Sequence, residues 1–129
     1  MNRRPIVSVT RTVRGSIPNV PFEKIARAML GQRYTLSLVL CGDTLALRMN
    51  KTYRKKTYVP NVLSFALGKD EGEIFLNTRV AAREARSIKI SEGRRIAHLF
   101  AHGCLHLSGM RHGKKMDGLE ESILDKFGF

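Results

Sequence analysis

The chain has 129 residues, so we expect one compact domain over residues 1–129 with a core of its own. No segment approaches the roughly 18 apolar residues of a membrane-spanning helix, which predicts a soluble, cytoplasmic protein without a membrane partner. Against 23 lysines and arginines stand 11 acidic residues, a formal net charge of +12 that favours a polyanionic partner, above all nucleic acid.

The first half of the chain alternates between strand and helix patterns. β-branched residues alternating with polar ones predict strands in PIVSVTRTV and, more strongly, in YTLSLVLCG. Pro21 is predicted at the first helical position of PFEKIARAML, which ends at Gly31, and Asp43 is expected to cap the helix TLALRMNKTYR. After a polar loop over residues 55–60, NVLSFAL and GEIFLN predict two strands joined as a hairpin.

The second half is predicted to be helical. Apolar residues at helical spacing predict a helix over residues 78–89, and Ser91 is expected to cap a longer helix that ends near Gly109. The amphipathic segment MDGLEESILDKFGF predicts the last helix. We therefore predict an α+β fold, a single small domain with a mixed sheet of about four strands packed with helices.

All four histidines of the chain fall within one short stretch near its end. His102 and His106 are four residues apart, so on a helix they project from one face, about 6 Å apart along the axis. Gly109 allows the chain to leave the helix, so that His112 can return toward the same point. The pattern H-x3-H-x5-H predicts one Zn²⁺ per chain on these three histidines, with one open coordination position, although another divalent transition metal would also suit imidazole ligands.

Three residues close to the predicted ligands are not themselves predicted to bind the metal. Cys104 is two residues from each helical histidine and points away from them, so it is predicted in the core, and with Cys41 it is expected to have no disulfide partner. His98, one turn before His102, is a candidate to hold a ligand in place or to face substrate, and a core histidine is the alternative. In the zincin-like HExxH motif of zinc peptidases a glutamate stands where this chain has Gly103, which disfavours peptide hydrolysis.

Two motifs carry a resemblance to a known family. HGCLHLSGMRHG resembles the H-G-x-L-H-L-x-G-Y-D-H signature of the YbeY family of bacterial rRNA maturation endoribonucleases. MNKTYRKKTYVPNVLSFAL is similar to the family's L-N-x-x-Y-R-x-K-x-x-x-T-N/D-V-L-S-F stretch, and the resemblance covers about residues 35–129. Met110 and Arg111 replace the family's Tyr-Asp, which removes a carboxylate that could orient His112 and makes the rim of the site more positive.

The resemblance implies a zinc-type site on the three histidines and metal-dependent cleavage of single-stranded RNA. It further implies a role in rRNA processing, ribosome maturation and ribosome quality control, with the small ribosomal subunit as a partner. Arg54 matches the family's functional arginine, and its planar guanidinium suits a phosphate. The predicted catalytic residues are therefore Arg54, His102, His106 and His112.

Two further residues of the second motif are candidate substrate contacts. Lys56 adds positive charge beside Arg54, and the alternative is a solvated loop residue. Ser64 is predicted on a strand facing the site, and a buried, hydrogen-bonded serine is the alternative. Either an RNA 2′-hydroxyl or a metal-activated water can be the nucleophile, and the sequence does not assign the general base.

Two other functions use the same residues. One is a ribosome-assembly factor that binds RNA without cleaving it and keeps a metal only for its fold. The other is a metal-dependent hydrolase of small phosphorylated compounds, which predicts a closed pocket in place of an open groove.

Overall fold

A computed structural model describes residues 6–111 and 113–129, so Pro5 of the first predicted strand and the predicted ligand His112 lie outside the described residues. The elements in chain order are β1 (Val7–Arg11), α1 (Phe22–Leu30), β2 (Thr35–Cys41), α2 (Asp43–Arg54), β3 (Val62–Gly68), β4 (Glu71–Asn77), α3 (Thr78–Ile88), α4 (Glu92–Leu107) and α5 (Lys114–Lys126). This order confirms the predicted α+β fold. No helix in the described part of the chain is long and apolar enough to cross a membrane.

The four strands of the described residues form one mixed sheet, as predicted, and their order in the sheet is β1-β2-β4-β3. Strands β1, β2 and β4 are parallel, and β3 pairs antiparallel with β4, which confirms the hairpin. Leu38 of β2 pairs with Ile74 of β4, and both side chains are fully buried. The parallel strands all end at one edge of the sheet, hereafter the carboxyl edge, where α2 and α3 begin.

Helices cover both faces of the sheet and divide the core in two. Helices α1 and α4 pack on one face, where Phe22 and Phe100 meet edge to face with ring centroids 4.9 Å apart. Helix α2 covers the other face, where Ala46 packs against Val39 and Phe75. A helix pressed on each face explains why the central strands β2 and β4 are buried almost throughout.

Three polar residues lie at the starts of helices, and two of them make contacts that the sequence pattern did not predict. Ser91 caps α4 as expected, since its hydroxyl accepts a hydrogen bond of 3.1 Å from the Arg94 amide. The predicted cap at Asp43 is wrong: Gly42 precedes the first helical residue, and the Asp43 carboxylate accepts instead from Asn77 Nδ2 at 2.9 Å. Asn77, which closes β4, caps α3 through its own side-chain oxygen.

Candidate active-site cleft

A cleft of about 490 Å³ opens beside the edge strand β3, where the end of α2 and the second half of α4 face each other. We refer to it as the histidine cleft. Five of the residues singled out in the sequence line it: Arg54, Lys56, Ser64, His102 and His106. The other lining residues are Asn50, Tyr58, Asn61, Val62, Leu63, Ala66 and Leu107. The fold thus brings together side chains that the two sequence motifs hold far apart along the chain.

The histidines of α4 lie one turn apart along a single side of the helix. The Nε2 atoms of His102 and His106 are 2.9 Å apart, and the ring centroids are separated by 4.5 Å. His102 is partly buried, whereas His106 is exposed. Two imidazole nitrogens this close can both contact one cation.

A buried carboxylate on α5 holds two of the histidine rings. Glu120 is only 3% exposed, and its Oε1 lies 2.6 Å from Nδ1 of His102 while its Oε2 lies 2.9 Å from Nε2 of His98. A carboxylate accepts hydrogen bonds, so the proton of His102 is placed on Nδ1 and the Nε2 lone pair is directed toward His106. This is the arrangement in which a histidine is prepared to bind a metal, with an acidic group behind its other nitrogen.

His98 belongs to this support and does not line the cleft. Arg95 Nη1 lies 3.2 Å from its Nδ1 and donates to it, because a guanidinium has no acceptor. In this tautomer of His98 the proton is on Nε2, which donates it to Glu120. Arg95 also pairs with Glu84 of α3 at 3.0 Å, so a polar network runs from α3 through α4 to α5.

Glu120 is a site residue that the sequence analysis missed, although the sequence contains a signal for it. Met116, Glu120 and Leu124 follow one another at four-residue spacing, and all three are buried. An acidic residue on the buried stripe of an amphipathic helix needs a polar partner. The pattern therefore marks Glu120 as a residue with a specific contact, and the neighbouring stripe of histidines supplies it.

Arg54 ends α2 and turns toward β3. Its Nη2 donates a hydrogen bond of 2.5 Å to the Ser64 carbonyl, and its Cζ lies 5.0 Å from the centre of the Phe65 ring. Lys55, the next residue, adopts a left-handed conformation with φ of 57° that ends the helix. Arg54 remains exposed while these contacts limit where its guanidinium can lie.

Lys56 and Ser64 occupy the same cleft in different ways. Lys56 is exposed, and its backbone amide is held at 3.2 Å by the carbonyl of the buried Asn50. The Asn50 side chain also donates 3.0 Å to the Tyr58 carbonyl, so this asparagine shapes the wall between α2 and β3. The Ser64 hydroxyl donates 3.2 Å to the Gly103 carbonyl, which makes Ser64 a contact between β3 and α4.

Gly103 sits where α4 packs closely against the sheet. A Cβ at this position would lie 2.9 Å from Ser64 Oγ and 3.0 Å from Ile74 Cδ1. The position where zinc peptidases carry their glutamate therefore faces the sheet here and has no room for a side chain. Cys104, predicted in the core, is fully buried, and burial raises the pKa of its thiol far above the ordinary range.

The metal site itself is only partly within the described residues. Over residues 6–111 and 113–129, no group of three histidine, cysteine or acidic side chains is arranged to hold a metal. The predicted site needs His112, which lies outside that range. The two histidines that are described fit an imidazole-binding ion, because their nitrogens converge and Glu120 orients one of the rings.

Comparison with known proteins identifies the family. The family model described as Endoribonuclease YbeY matches residues 9–128. The chain belongs to the YbeY family. Among its relatives, Endoribonuclease YbeY from Bordetella petrii is 38% identical over 102 residues, which are 71% of this chain and 66% of that protein, just under two thirds of its length. Endoribonuclease YbeY from Methylobacillus flagellatus is 33% identical over 123 residues, 88% of this chain and 83% of that protein.

A solved structure shares the fold of this chain. The solution structure of a Thermotoga maritima protein matches with a TM-score of 0.63 at 22% sequence identity, covering 81% of this chain and 75% of that one. The departures from the family motif, Met110 and Arg111, follow the end of α4 at Leu107. Between them and the helix, Gly109 has a φ of 88°, a value that favours glycine and lets the chain turn away as predicted.

Proposed function

We propose that this chain is a metal-dependent, single-strand-specific endoribonuclease that acts in rRNA processing, ribosome maturation and ribosome quality control. The observation that carries the proposal is the histidine cleft, in which Arg54 and Lys56 face His102 and His106. The net charge of +12 supports a polyanionic substrate, and relatives named Endoribonuclease YbeY support RNA. The proposed setting is the cytoplasm, with rRNA and the small ribosomal subunit as partners.

His102, His106 and His112 would hold the ion, with Zn²⁺ as the first choice at one per chain. When bound, a divalent cation supplies Lewis-acid polarisation of a phosphoryl oxygen. Glu120 keeps the His102 ring turned with Nε2 toward the site, and it is itself held by His98. The protein thereby fixes the tautomer and the direction of one ligand before any ion arrives.

Arg54 would bind the phosphate of the cleaved bond. A guanidinium has five N–H donors, and one of them already serves the Ser64 carbonyl. The others remain for phosphate oxygens, where two parallel bonds hold the group in one orientation. Because negative charge grows on the phosphate during cleavage, a cation fixed beforehand stabilises the transition state more than the bound substrate.

The aromatic rim of the cleft supports a preference for single strands. Tyr58 lines the cleft and is 61% exposed, and Tyr53 on the last turn of α2 is 62% exposed. Exposed rings stack on bases that are not already stacked in a duplex. The exposed positions of Arg54, Lys56 and Tyr58 also favour a polymer lying across the cleft over a small compound enclosed within it.

The decisive experiment separates catalysis from binding at Arg54. In Arg54→Ala, single-turnover cleavage of a single-stranded RNA at saturating enzyme should fall on the order of 100-fold or more. Binding of the same RNA should weaken only a few-fold, since many other basic residues contribute. Arg54→Lys should recover part of the rate, because it keeps the charge and loses the planar fork.

Arg48→Ala is the matched control, since Arg48 is an exposed arginine on the same helix that does not line the cleft. It should retain the cleavage rate and the affinity. Equal losses of rate and affinity in Arg54→Ala, or full activity in that variant, would contradict the catalytic role. Either result would favour the assembly-factor alternative, in which RNA is bound without being cleaved.

A further inference from the structure

A second basic surface lies on α3, away from the histidine cleft. Arg79, Arg83 and Arg86 are four and three residues apart, so they project from one side of that helix. With Arg14, from the segment between β1 and α1, they line a groove of about 300 Å³, hereafter the arginine groove. Among the described residues, the two sites have no lining residue in common.

Only some of these arginine side chains make contacts that stabilise the fold. Arg83 pairs with Asp43 at 3.0 Å, and Arg79 donates 3.1 Å to the Arg14 carbonyl. Within residues 6–111 and 113–129, neither Arg14 nor Arg86 has an acidic partner within 4.0 Å. Exposed ion pairs add little to stability, so folding does not account for four guanidinium groups around one depression.

The chemistry of the groove suits a nucleic-acid backbone. Its positive groups are all arginines, whose planar forks bind phosphate oxygens two at a time. Glu92 is its one acidic lining residue among those described, so the positive groups outnumber the negative. Ile17 and Pro18 give it an apolar wall against which a ribose or a base can lie.

Helix α3 lines the groove and contacts one residue of the cleft. On the side away from the arginines, Glu84 accepts from Asn61 Nδ2 at 3.3 and 3.4 Å, and Asn61 lines the histidine cleft. An α-helix with its side chains is about 10–12 Å across. A strand of RNA that leaves the cleft beside Asn61 and passes α3 therefore reaches the arginines only if it is longer than the segment in the cleft.

We propose that the arginine groove binds the phosphodiester backbone of RNA that flanks the segment held in the histidine cleft. The inference rests on the proposed function, because it takes RNA as the substrate. A second binding site makes the affinity for RNA depend on its length. Short RNA occupies only the histidine cleft, whereas longer RNA binds to both the cleft and the arginine groove. Each phosphate neutralised in a single strand adds about 0.7 to the salt dependence of binding.

The test compares two variants of equal charge. Arg14→Gln/Arg86→Gln removes the two groove arginines that have no acidic partner, and Arg33→Gln/Arg48→Gln removes two exposed arginines that line neither site. Binding is measured for single-stranded RNAs of about 5 and about 20 nucleotides over a range of salt concentrations. Single-turnover cleavage of the short RNA is measured beside it.

In the groove variant, the longer RNA should bind about 10-fold more weakly at low salt, and its log–log salt slope should shrink by about 1.4. Binding and cleavage of the short RNA should stay within about twofold of wild type, because the histidine cleft is intact. The control variant should bind both RNAs nearly as wild type does.

An unchanged affinity for the longer RNA in the groove variant would overturn the proposal. So would an equal loss in the control variant, since that would be an effect of net charge alone. Failure of the proposed function gives a different result: wild-type protein would bind the longer RNA through the groove arginines and cleave neither RNA. If wild-type protein cleaves both RNAs and the groove variant binds the longer RNA as tightly as wild type, the proposed endoribonuclease function stands and the proposed role of the arginine groove is refuted.

Discussion

The two sides of helix α4 are held in place by different interactions. On the core side, Phe100, Gly103 and Cys104 are buried, and the helix is so close to the sheet that even a methyl group at Gly103 would collide. On the other side, His98 and His102 are partly exposed and are fixed by hydrogen bonds to a single carboxylate of α5. Packing sets the position of the helix, and hydrogen bonds set the direction of its imidazole rings.

This difference shows how one helix can serve both the core and a site. The thiol of Cys104 lies two residues from each of two histidines, yet it is fully buried, and burial raises its pKa. Cys104 packs in the core cluster and does not line the histidine cleft. The predicted metal site therefore uses the histidine side, where neutral imidazoles can bind an ion without carrying a charge of their own.

The largest effect is expected from removing the ligand that α4 does not itself supply. His112→Ala should lose its metal, with affinity falling more than the roughly 100-fold typical of losing a group behind a ligand. Two imidazoles on one helix cannot complete a tetrahedral site. Elemental analysis of protein prepared without chelators, followed by titration against a competing chelator, measures this.

His98→Ala is the control, because it removes an imidazole from the same stretch while leaving the three predicted ligands. It should still contain about one metal per chain. If His112→Ala kept its metal, or if His98→Ala lost as much metal affinity as His112→Ala, the assignment of the three ligands would be wrong.

A smaller effect is expected from Glu120→Gln, which alters the support of the rings. The carboxylate offers two acceptors, to His98 and His102, whereas an amide offers one acceptor and one donor. One ring must then change tautomer or lose its bond, and His98 already accepts from Arg95. We expect metal affinity to fall about 10- to 100-fold.

Glu121→Gln provides the matched control, since Glu121 is exposed and pairs only with Arg94 at 3.3 Å among the described residues. Its metal affinity should equal that of wild type within about twofold. Equal affinities in the two variants would show that the buried carboxylate does not position the site.

Local patterns in the sequence predicted most of the fold. The alternation at the start of β2 and the helical spacing in α3 and α4 arise because side chains on one face of each element are buried. Ser91 was predicted as a cap because a cap depends on its own helix alone. The cap predicted at Asp43 does not form, because its carboxylate is drawn to Arg83 and Asn77, whose hydrogen bonds also hold its pKa below the ordinary range.

In the candidate site, too, contacts within one element were predictable and contacts between elements were not. The histidine spacing was readable because both residues lie on one helix, and Arg54 was found through a family motif. The contact of Glu120 with His98 and His102 depends on how α5 packs against α4, which no spacing within either helix reveals. Whether the three-histidine site forms stays a prediction, since His112 lies outside the described residues.

The smallest effect concerns the core side of α4 and is measured as stability. In Gly103→Ala, the new methyl would lie 2.9 Å from Ser64 Oγ and 3.0 Å from Ile74 Cδ1, so α4 must move away from β3. Overpacking costs about 1–3 kcal/mol, and the gain in helix propensity returns at most about 1 kcal/mol. The free energy of unfolding in urea should therefore fall by up to about 2 kcal/mol. Gly118→Ala on α5 is the opposite case, because nothing lies within 4 Å of its added Cβ, and it should raise stability by up to about 1 kcal/mol.

Adding Ser64→Ala to Gly103→Ala identifies which contact causes the loss. It removes Ser64 Oγ, which is both the nearer of the two colliding atoms and the donor to the Gly103 carbonyl, while Ile74 stays in place. The double variant should regain only part of the lost stability, because the contact with Ile74 persists and a hydrogen bond worth about 1 kcal/mol is gone. If Gly103→Ala were as stable as Gly118→Ala, the close approach of α4 to the sheet would not exist in solution, and packing could not be what positions the histidine side.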